Sequence, residues 1–340
     1  MQSVLNWGII GLGNAAKNFA SGFKDSKNSS LIAVASKNDE KLNYFKKNYN
    51  LEEKNCYYSY EQILKNDKID IVYIALPNSL HTEWIKKSAS SKKNILVEKP
   101  AAIYVKDLES ALKEVKSNNI FFIENFLYRS HPQTLKLIKL IEENYIGKIY
   151  RIKCSFGNDA LGGRKLFGYR FKKPNKNKRL FNKELGGGAI LDMGCYPVSM
   201  ISLLASYINK NLQIPNLSKI NIKTGITGVD EYASATLNYG DNFYADIEAS
   251  IVNRLSNDLE IIGEKGKIYL KEPWFPNFES VIQIFFDKTQ KTELVKTNYN
   301  IYTHQINQCS ELIIAKESKL HLMTLDKTIE NTIILNNWSC

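Results

Sequence analysis

The sequence predicts an α/β protein in two parts: a doubly wound parallel sheet, followed by an α+β part with a large, open-faced and mainly antiparallel sheet. Three observations support this prediction. Up to about residue 125, short apolar segments alternate with helical patterns. Beyond that point, several segments alternate between apolar and polar residues. A length of 340 residues fits two domains of roughly 100–200 residues each. We therefore expect domains at residues 1–125 and 126–340.

The first part contains five segments that are apolar nearly throughout, as strands buried on both faces are. Helical patterns lie between them, and Ser59-Tyr60-Glu61-Gln62 has the form of a capping box at the start of one helix. This alternation predicts βαβ units. The expected strands are Val4–Ile10, Leu31–Ala35, Ile71–Ala75, Asn94–Val97 and Ile120–Ile123, and the expected helices are Ala15–Lys24, Glu40–Asn48, Tyr60–Lys65, Thr82–Ser90 and Lys106–Ser117.

The second part begins with a helical pattern over His131–Asn144 and continues with strands that alternate in polarity. In Tyr150–Phe156, every second residue is apolar, which indicates a sheet with one buried and one open face. Several such segments lie between Lys219 and Val295. Turn signals at Tyr239–Asn242 and Gly263–Gly266 separate some of them. Two further helices are expected at Ile306–Ala315 and Leu325–Asn336.

Composition excludes several classes of protein. The net charge is +11, but the lysines are spread along the chain without an aromatic-interleaved basic run, so we expect no nucleic-acid partner. No apolar run approaches the roughly 18 residues that cross a bilayer. The N-terminal residues lack a signal-peptide pattern, and we expect a cytoplasmic protein without a membrane partner. Five scattered cysteines with no Cys-x-x-Cys pair indicate neither a disulfide framework nor a metal site.

A glycine-rich turn after the first strand predicts a dinucleotide site. Gly11, Gly13 and Ala16 satisfy the pattern G-x-G-x-x-A between a strand and a helix. The first glycine permits the tight turn, the second lets the backbone approach a pyrophosphate, and the alanine allows close helix–strand packing. Asn14 and Ala15 open the helix, whose N-terminal N–H groups attract phosphate. This arrangement is the mononucleotide-binding half of a Rossmann domain.

The end of the second strand bears on the choice of cofactor. NAD-binding domains usually place Asp or Glu there to bind the ribose 2′-hydroxyl. Here Ser36 and Lys37 follow Ala35, and they suit a 2′-phosphate through a hydrogen bond and a positive charge. We therefore expect NADP. The alternative is that Lys37 is merely solvated and that Asp39 or Glu40 turns inward to select NAD.

Four segments, the first of which includes the glycine-rich turn, resemble those of a known family. They are Trp7–Gly13, Pro77–His81, Glu98–Pro100 and Leu185–Pro197, and together they span most of the chain. The chain resembles the glucose–fructose oxidoreductase and inositol dehydrogenase family, abbreviated Gfo/Idh/MocA. Additional similarity at Tyr128–Gln133, Gly194–Pro197 and Glu272–Phe275 points to the branch of dihydrodiol dehydrogenases and NADP-dependent xylose dehydrogenases. One departure is Asn125, where many relatives have a small residue.

The resemblance implies catalytic roles. Tyr196 matches the family's acid/base group, and Lys99 matches the lysine whose charge would stabilise its phenolate. Asp192 lies four residues before Tyr196, one helical turn away, and could orient Lys99 or a substrate hydroxyl. Each has a structural alternative: a solvated lysine, a core tyrosine, or an aspartate that caps a helix.

Binding roles follow from the same resemblance. His81 could contact the nicotinamide, or it could be a structural histidine. Arg129 and Trp274 match substrate-binding neighbours, and either could instead fill core. The resemblance also suggests a cis peptide bond before Pro100, although sequence alone favours trans. The triglycine Gly186–Gly188 predicts a close backbone approach. The cofactor-binding residues that we expect are Gly11, Gly13, Asn14, Ala15, Ser36, Lys37, Pro77, Asn78, His81, Glu98 and Lys99.

The expected activity is hydride transfer between NADP(H) and a secondary hydroxyl or carbonyl of a sugar, polyol or dihydrodiol. A homodimer formed through the C-terminal sheet is expected from the resemblance. Two alternatives stay open. One is a sugar-nucleotide ketoreductase, whose substrate diphosphate could meet Arg164, Lys165, Arg170 and the basic segment Lys172–Arg179. The other is a non-catalytic, dinucleotide-sensing regulator, which would not need Lys99, Asp192 and Tyr196 together.

Overall fold

A computed structural model describes residues 4–162, 172–209, 213–317, 319 and 321–340, together with the backbone of residues 165–166 and 169–170. The chain forms two compact units. One comprises Met1–His131 and Thr297–Ile329, and the other comprises Pro132–Lys296 and Glu330–Cys340. The expected division at residue 125 therefore lies inside the first unit, and the chain re-enters that unit at Thr297. The sequence pattern did not indicate this return.

Two large sheets and a short ribbon organise the described residues. The strands are β1 Leu5–Ile10, β2 Ser29–Ala35, β3 Cys56–Tyr57, β4 Ile71–Ile74, β5 Asn94–Glu98, β6 Phe122–Asn125, β7 Ile149–Gly157, β8 Lys165–Leu166, β9 Tyr169–Arg170, β10 Asn216–Thr224, β11 Asp230–Asn238, β12 Tyr244–Ser250, β13 Leu259–Gly263, β14 Gly266–Leu270, β15 Glu279–Phe285 and β16 Gln290–Lys296. The first unit has a parallel sheet in the order β3-β2-β1-β4-β5-β6, and the second has a mixed, mainly antiparallel sheet in the order β10-β11-β12-β7-β13-β14-β15-β16.

Helices form at every position where the sequence predicts one. Asn38 and Ser59 accept hydrogen bonds from the first turns of the second and third helices, which confirms the expected start at Tyr60. A π-helical turn, Ile190–Gly194, precedes the seventh. The helices are α1 Asn14–Ala20, α2 Asp39–Tyr49, α3 Tyr60–Leu64, α4 His81–Ser90, α5 Val105–Ser117, α6 Pro132–Glu142, α7 Cys195–Ile208, α8 Ile301–Ala315 and α9 Leu325–Trp338.

The late helix α8 completes the first unit. Ser310 accepts a hydrogen bond from the buried indole of Trp7 at 3.2 Å and shares another with Ser29 at 2.7 Å. The backbone of α8 also approaches Gly22 so closely that a Cβ there would lie 2.7 Å from the Thr303 nitrogen. The predicted helix over residues 15–24 accordingly ends at Ala20 and continues as a 3₁₀ turn, Ser21–Asp25.

The eight-stranded sheet has the expected alternation with one exception. In β7, Ile152 and Cys154 are buried while Arg151 and Lys153 are exposed, but Ser155 is buried as well. Its hydroxyl bonds Ser256 at 2.8 Å and the backbone nitrogen of Asn257, so the polar side chain is satisfied. The open face therefore has charged residues along β7 and a pair of hydroxyl groups, Ser155 and Ser256, near the end of that strand.

One helical stretch in the described part of the chain, Lys183–Ile208, is long and apolar enough on average to span a membrane. Of its most apolar window, 83 % is buried inside the protein. Such burial is the environment of a core helix, because α7 packs against the eight-stranded sheet and α6.

Candidate active site

The glycine-rich turn has the geometry that a dinucleotide requires. Gly11 has φ +88, and a Cβ on it would lie 2.7 Å from Leu76 and 2.8 Å from the carbonyl oxygen of Ala75. A side chain is therefore excluded there for both conformational and steric reasons. At Gly13, an added Cβ would meet nothing within 4 Å, so there is open space above the start of α1. Asn14 and Ala15, the first residues of α1, are exposed to that space. These residues fit a pyrophosphate.

The end of β2 presents a hydroxyl and an ammonium group. Ser36 is 5 % exposed, and its Oγ accepts from the backbone nitrogen of Asn38 at 3.2 Å, which leaves its proton available to donate. Lys37 is exposed. Asp39 and Glu40, in the first turn of α2, are exposed as well. Neither carboxylate turns inward, as the alternative that selects NAD would require.

At the carboxyl edge of the parallel sheet, Glu98 is fixed by its neighbours. The Tyr73 hydroxyl donates to Oε1 of Glu98, and Asn125 Nδ2 donates to the same oxygen at 2.6 Å. Asn125 thus has a specific partner at the position where the sequence departs from many relatives. Tyr73 is fully buried, and burial with the nearby Glu98 charge raises the pKa of its phenol well above the ordinary value. It therefore donates to the carboxylate at neutral pH.

The next residues form the turn that bears Lys99. The Lys99–Pro100 peptide bond is cis, as the resemblance suggested and contrary to the preference expected from sequence alone. Lys99 is half-buried. His81 is fully buried behind this turn, with Nδ1 2.9 Å from the Pro100 carbonyl oxygen and Nε2 2.8 Å from that of Leu76. This position gives His81 a structural function, and its predicted contact with the cofactor stays a prediction. Asn78 is buried and Pro77 is exposed in the preceding turn.

Glu124 is a buried carboxyl group beside the same turn. It is 1 % exposed, and its Oε1 accepts from the Ala101 nitrogen at 2.9 Å. Burial raises its pKa to about 7, against the opposing effects of the Ala101 N–H, Thr328, Arg129 and Lys99. A carboxyl group that titrates near neutrality, next to a lysine at a strand end, is typical of active sites.

Arg129, a predicted substrate-binding residue, is 1 % exposed. Its Nη1 lies 3.3 Å from the Leu322 carbonyl oxygen and 3.4 Å from that of His321. Together with its charge effect on Glu124, this position supports a structural role. Direct contact with a substrate stays a prediction.

In the second unit, Tyr196 lies in the first turn of α7 within a cluster of aromatic rings. Its ring centroid is 4.9 Å from that of Phe156 and 5.8 Å from those of Trp274 and Phe275. Trp274 is 2 % exposed and donates its indole N–H to the Ser155 carbonyl oxygen at 3.0 Å. Phe275 is 45 % exposed, so it presents the accessible aromatic surface.

Sequence reasoning missed Phe156 and Phe275 as members of this cluster. Phe275 follows Trp274 directly in a segment that was recognised by resemblance, so its adjacency was the available signal. For Phe156, the alternation over Tyr150–Phe156 predicts only that it lies on the apolar face of a strand. Neither position could be related to Tyr196 without the fold, because the three residues are separated by at least 40 positions.

Asp192 lies in the π-helical turn just before Tyr196. Its Oδ1 is 2.6 Å from Nη2 of Arg179, within the same unit. Arg179 begins a 3₁₀ turn at the end of the basic segment Lys172–Arg179. Of the other basic residues considered, Arg164 lies outside the described residues, as do the side chains of Lys165 and Arg170. Among the described residues, no group of three or more His, Cys, Asp or Glu side chains could hold a metal ion.

These features define the class of protein. The first unit has a parallel sheet with a glycine-rich first turn, and the second is built on a large mixed sheet. This architecture is typical of oxidoreductases that bind a nicotinamide dinucleotide in their first domain. The model of the oxidoreductase family with an NAD-binding Rossmann fold matches residues 5–126, and the GFO/IDH/MocA C-terminal domain matches residues 134–269. The chain belongs to the Gfo/Idh/MocA family of oxidoreductases.

A relative in sequence agrees with this assignment, and solved structures share the fold. A trans-1,2-dihydrobenzene-1,2-diol dehydrogenase of Xenopus tropicalis is 29 % identical over 79 % of this chain and 76 % of its own length. An aldose–aldose oxidoreductase of Caulobacter crescentus, solved with glycerol, superposes with a TM-score of 0.85 at 21 % identity and covers 99 % of this chain and 96 % of its own. A 3-ketoreductase of Actinomadura kijaniata, solved with NADP and TDP-benzene, has a TM-score of 0.84 at 19 % identity, with 98 % and 96 % covered.

Proposed function

We propose that this protein transfers a hydride between NADP(H) and a secondary hydroxyl or carbonyl of a sugar, polyol or dihydrodiol, with Tyr196 as the acid/base group. The observation on which the proposal depends is the position of Tyr196 in the first turn of α7, among three aromatic rings and one turn after Asp192. This family position would serve little purpose in a protein that only senses a dinucleotide. The regulator alternative is therefore not favoured.

The bound nicotinamide accepts the hydride during oxidation and donates it during reduction. The protein must manage the accompanying proton. In the direction of oxidation, the substrate hydroxyl loses its proton to the phenolate oxygen of Tyr196, and in the direction of reduction the phenol returns it to the carbonyl. A phenol has an ordinary pKa of about 10, so it needs a positive charge to ionise at neutral pH. Lys99 supplies that charge in this proposal.

NADP, rather than NAD, is supported by the end of β2. Ser36 can donate its hydroxyl proton to a 2′-phosphate, and the exposed Lys37 can offset the phosphate charge. The two carboxylates that could bind a 2′-hydroxyl, Asp39 and Glu40, are exposed. The Actinomadura 3-ketoreductase was solved with NADP, and the same cofactor preference is proposed here.

Phe275 supports a substrate with an apolar face. Its ring is 45 % exposed beside Tyr196, and such a surface can stack on the C–H face of a sugar or on a diol ring. Trp274 supports the cluster from below the surface, because it is 2 % exposed and anchored to Ser155.

A sugar-nucleotide ketoreductase is the second candidate. The observation that favours it is the segment 172–178, in which Lys172, Lys173, Lys176 and Lys178 are all exposed. Such lysines can offset a substrate diphosphate. The Actinomadura relative is a 3-ketoreductase solved with TDP-benzene, which keeps this reading open.

We also propose a cytoplasmic homodimer formed through the open face of the eight-stranded sheet. Support comes from the charge pattern on that face. Arg151 pairs with Asp246 at 2.7 Å, and Lys153 and Lys267 pair with Glu260 at 3.3 and 2.8 Å. A face of alternating charges can be self-complementary under two-fold symmetry.

The test is turnover, followed through nicotinamide absorbance with NADP and NAD against xylose, glucose, inositol and a dihydrodiol. Wild type and Tyr196→Phe are compared, with Tyr104→Phe, at an exposed tyrosine of the first unit, as the matched control. The proposal expects turnover for wild type and the control, and a loss of at least about 100-fold for Tyr196→Phe. Equal turnover by Tyr196→Phe would refute the acid/base assignment. Cofactor binding without turnover on any free sugar or diol would direct the search to sugar nucleotides.

A further inference from the structure

The triglycine lets the segment just before it, residues 179–182, fold back against the turn before Tyr196. A Cβ on Gly187 would overlap the carbonyl oxygen of Arg179 and lie 2.6 Å from that of Leu180. The Gly187 nitrogen donates to the Asn182 oxygen at 2.9 Å, and the Gly188 nitrogen donates to the Leu180 oxygen at 3.0 Å. This confirms the predicted close backbone approach. It also shows what approaches: the short 3₁₀ turn that begins at Arg179.

That approach delivers the Arg179 guanidinium to Asp192. The Nη2–Oδ1 distance is 2.6 Å, and the side chains are 36 % and 13 % exposed respectively. A charge-assisted hydrogen bond of this length to a mostly buried carboxylate is stronger than an exposed ion pair, because solvent screens it less. The Asp192 backbone is held as well, since its nitrogen donates to the Gly188 oxygen at 3.1 Å.

A second carboxylate fixes the other side of the same turn. Asp230 Oδ2 accepts from the Ile190 nitrogen at 2.6 Å. Its carboxylate fills the space where a Gly188 side chain would be, and Gly188 has φ +115, which favours glycine. The π-helical turn is thus held at its start by Asp230 and across its middle by Arg179. π-helical turns of this kind often occur at functional sites.

We propose that Arg179 is a positioning residue for Asp192: through its bond to Oδ1, it keeps the carboxylate ionised and holds it in place in the turn before Tyr196. This inference rests on the proposed function. It adds a residue to the sequence expectation, in which Asp192 could orient Lys99 or a substrate hydroxyl, because Arg179 holds Asp192 from within the same unit. The triglycine would then be required for catalysis as well as for packing, since bulkier residues would displace Arg179.

The experiment compares Arg179→Gln and Arg179→Lys with wild type. A guanidinium beside a carboxylate lowers its pKa by about 1–3 units. Arg179→Gln should therefore move the acidic limb of the kcat/KM pH profile upward by about 1 unit or more. The value of kcat should fall about tenfold or more, while KM for the cofactor stays within about twofold. Arg179→Lys keeps the charge without the planar fork, so it should restore the limb but only part of kcat.

Lys139→Gln is the matched control. Lys139 pairs with Glu143 at 3.7 Å in the same unit, at the end of α6 and not on the proposed dimer face, and its loss should leave the pH profile unchanged. Thermal unfolding of all three variants shows whether they fold. If Arg179→Gln does not fold, Arg179→Lys alone decides: a profile like that of wild type with a reduced kcat supports the proposal, and an unchanged kcat overturns it.

A measurement that does not need activity separates this proposal from the proposed function. The carboxyl ¹³C shift of Asp192, followed against pH in labelled protein and assigned through Asp192→Asn, reports its ionisation directly. An upward shift of its titration in Arg179→Gln supports the inference even if no substrate is turned over. An unmoved titration in a folded Arg179→Gln variant overturns it, whatever the activity.

Discussion

The carboxyl group of Glu124 should make the stability of this protein fall as the pH rises towards neutrality. In the folded chain it is 1 % exposed, and burial raises its pKa from 4.5 to about 7. The charges of Arg129 and Lys99 and the Ala101 N–H oppose this effect but do not cancel it. In the unfolded chain the same group is solvated and titrates near its ordinary value. Replacing it by glutamine removes the titration and keeps the shape and an acceptor for Ala101.

The size of the effect follows from the two pKa values. A difference of about 2.5 units, at about 1.4 kcal/mol per unit, corresponds to about 3 kcal/mol. Because the folded pKa of this acid is raised, the folded state binds the proton more tightly between about pH 4.5 and pH 7, and stability is lost as the pH rises through that window. Between about pH 5 and about pH 8, wild type should therefore lose about 2–3 kcal/mol from this group alone.

Urea unfolding at those two pH values tests the reasoning. The difference in unfolding free energy between Glu124→Gln and wild type should become about 2–3 kcal/mol more favourable to the variant at the higher pH. Glu109→Gln, at an exposed position of α5 in the same unit, is the control and should show no such change. A pH-dependent difference below about 1 kcal/mol for Glu124→Gln would refute the argument, because Glu124 would then titrate like a solvated carboxyl group.

Three other predictions concern the cofactor. Ser36→Asp should lower kcat/KM with NADP relative to NAD by about tenfold or more, because a carboxylate would repel the 2′-phosphate; an unchanged ratio in steady-state kinetics would argue against NADP recognition at β2. Tyr73→Phe should weaken cofactor binding by about three- to tenfold in fluorescence titration, since it removes one of two hydrogen bonds to Glu98 while keeping the ring against Phe19. Gly13→Ala should bind the cofactor more weakly but keep a melting temperature close to that of wild type. Gly11→Ala should bind it more weakly and also lose more than about 1 kcal/mol of folding stability, because Gly11 has a positive φ. Equal losses of stability in the two variants would contradict the presence of open space at Gly13.

The sequence predicts secondary structure correctly where a strand is buried on both faces. All five expected strands of the parallel sheet form, because strands covered on both faces are apolar throughout. The hairpin turn at Gly263–Gly266 forms between β13 and β14 as expected. The edge strand β3 was missed: it has only two residues, Cys56 and Tyr57, and leaves no periodic pattern. Such short edges depend on a neighbouring strand more than on their own residues.

For the candidate site, the sequence predicts which residues take part but not how buried they are or which groups they contact. The sequence identifies His81, Arg129 and Trp274, but it cannot show that all three are almost completely buried. A buried polar side chain needs partners, and those partners come from chain positions as distant as Leu322 for Arg129. The raised pKa of Glu124 has the same origin, since burial is a property of the packed unit and not of the residue.

By itself, the sequence determined the family, the dinucleotide-binding turn and the order of the main elements. These features depend on local conformation and periodicity, such as the positive φ of Gly11 and the apolar strands around it. Only the tertiary structure decided that α8 joins the first unit, that Phe275 exposes its ring beside Tyr196, and that Arg179 pairs with Asp192. Each of these is a contact between residues that are not neighbours in the sequence, from 13 positions apart for Arg179 and Asp192 to much longer separations for the others. Its free energy depends on geometry that many residues set together, so no local pattern encodes it.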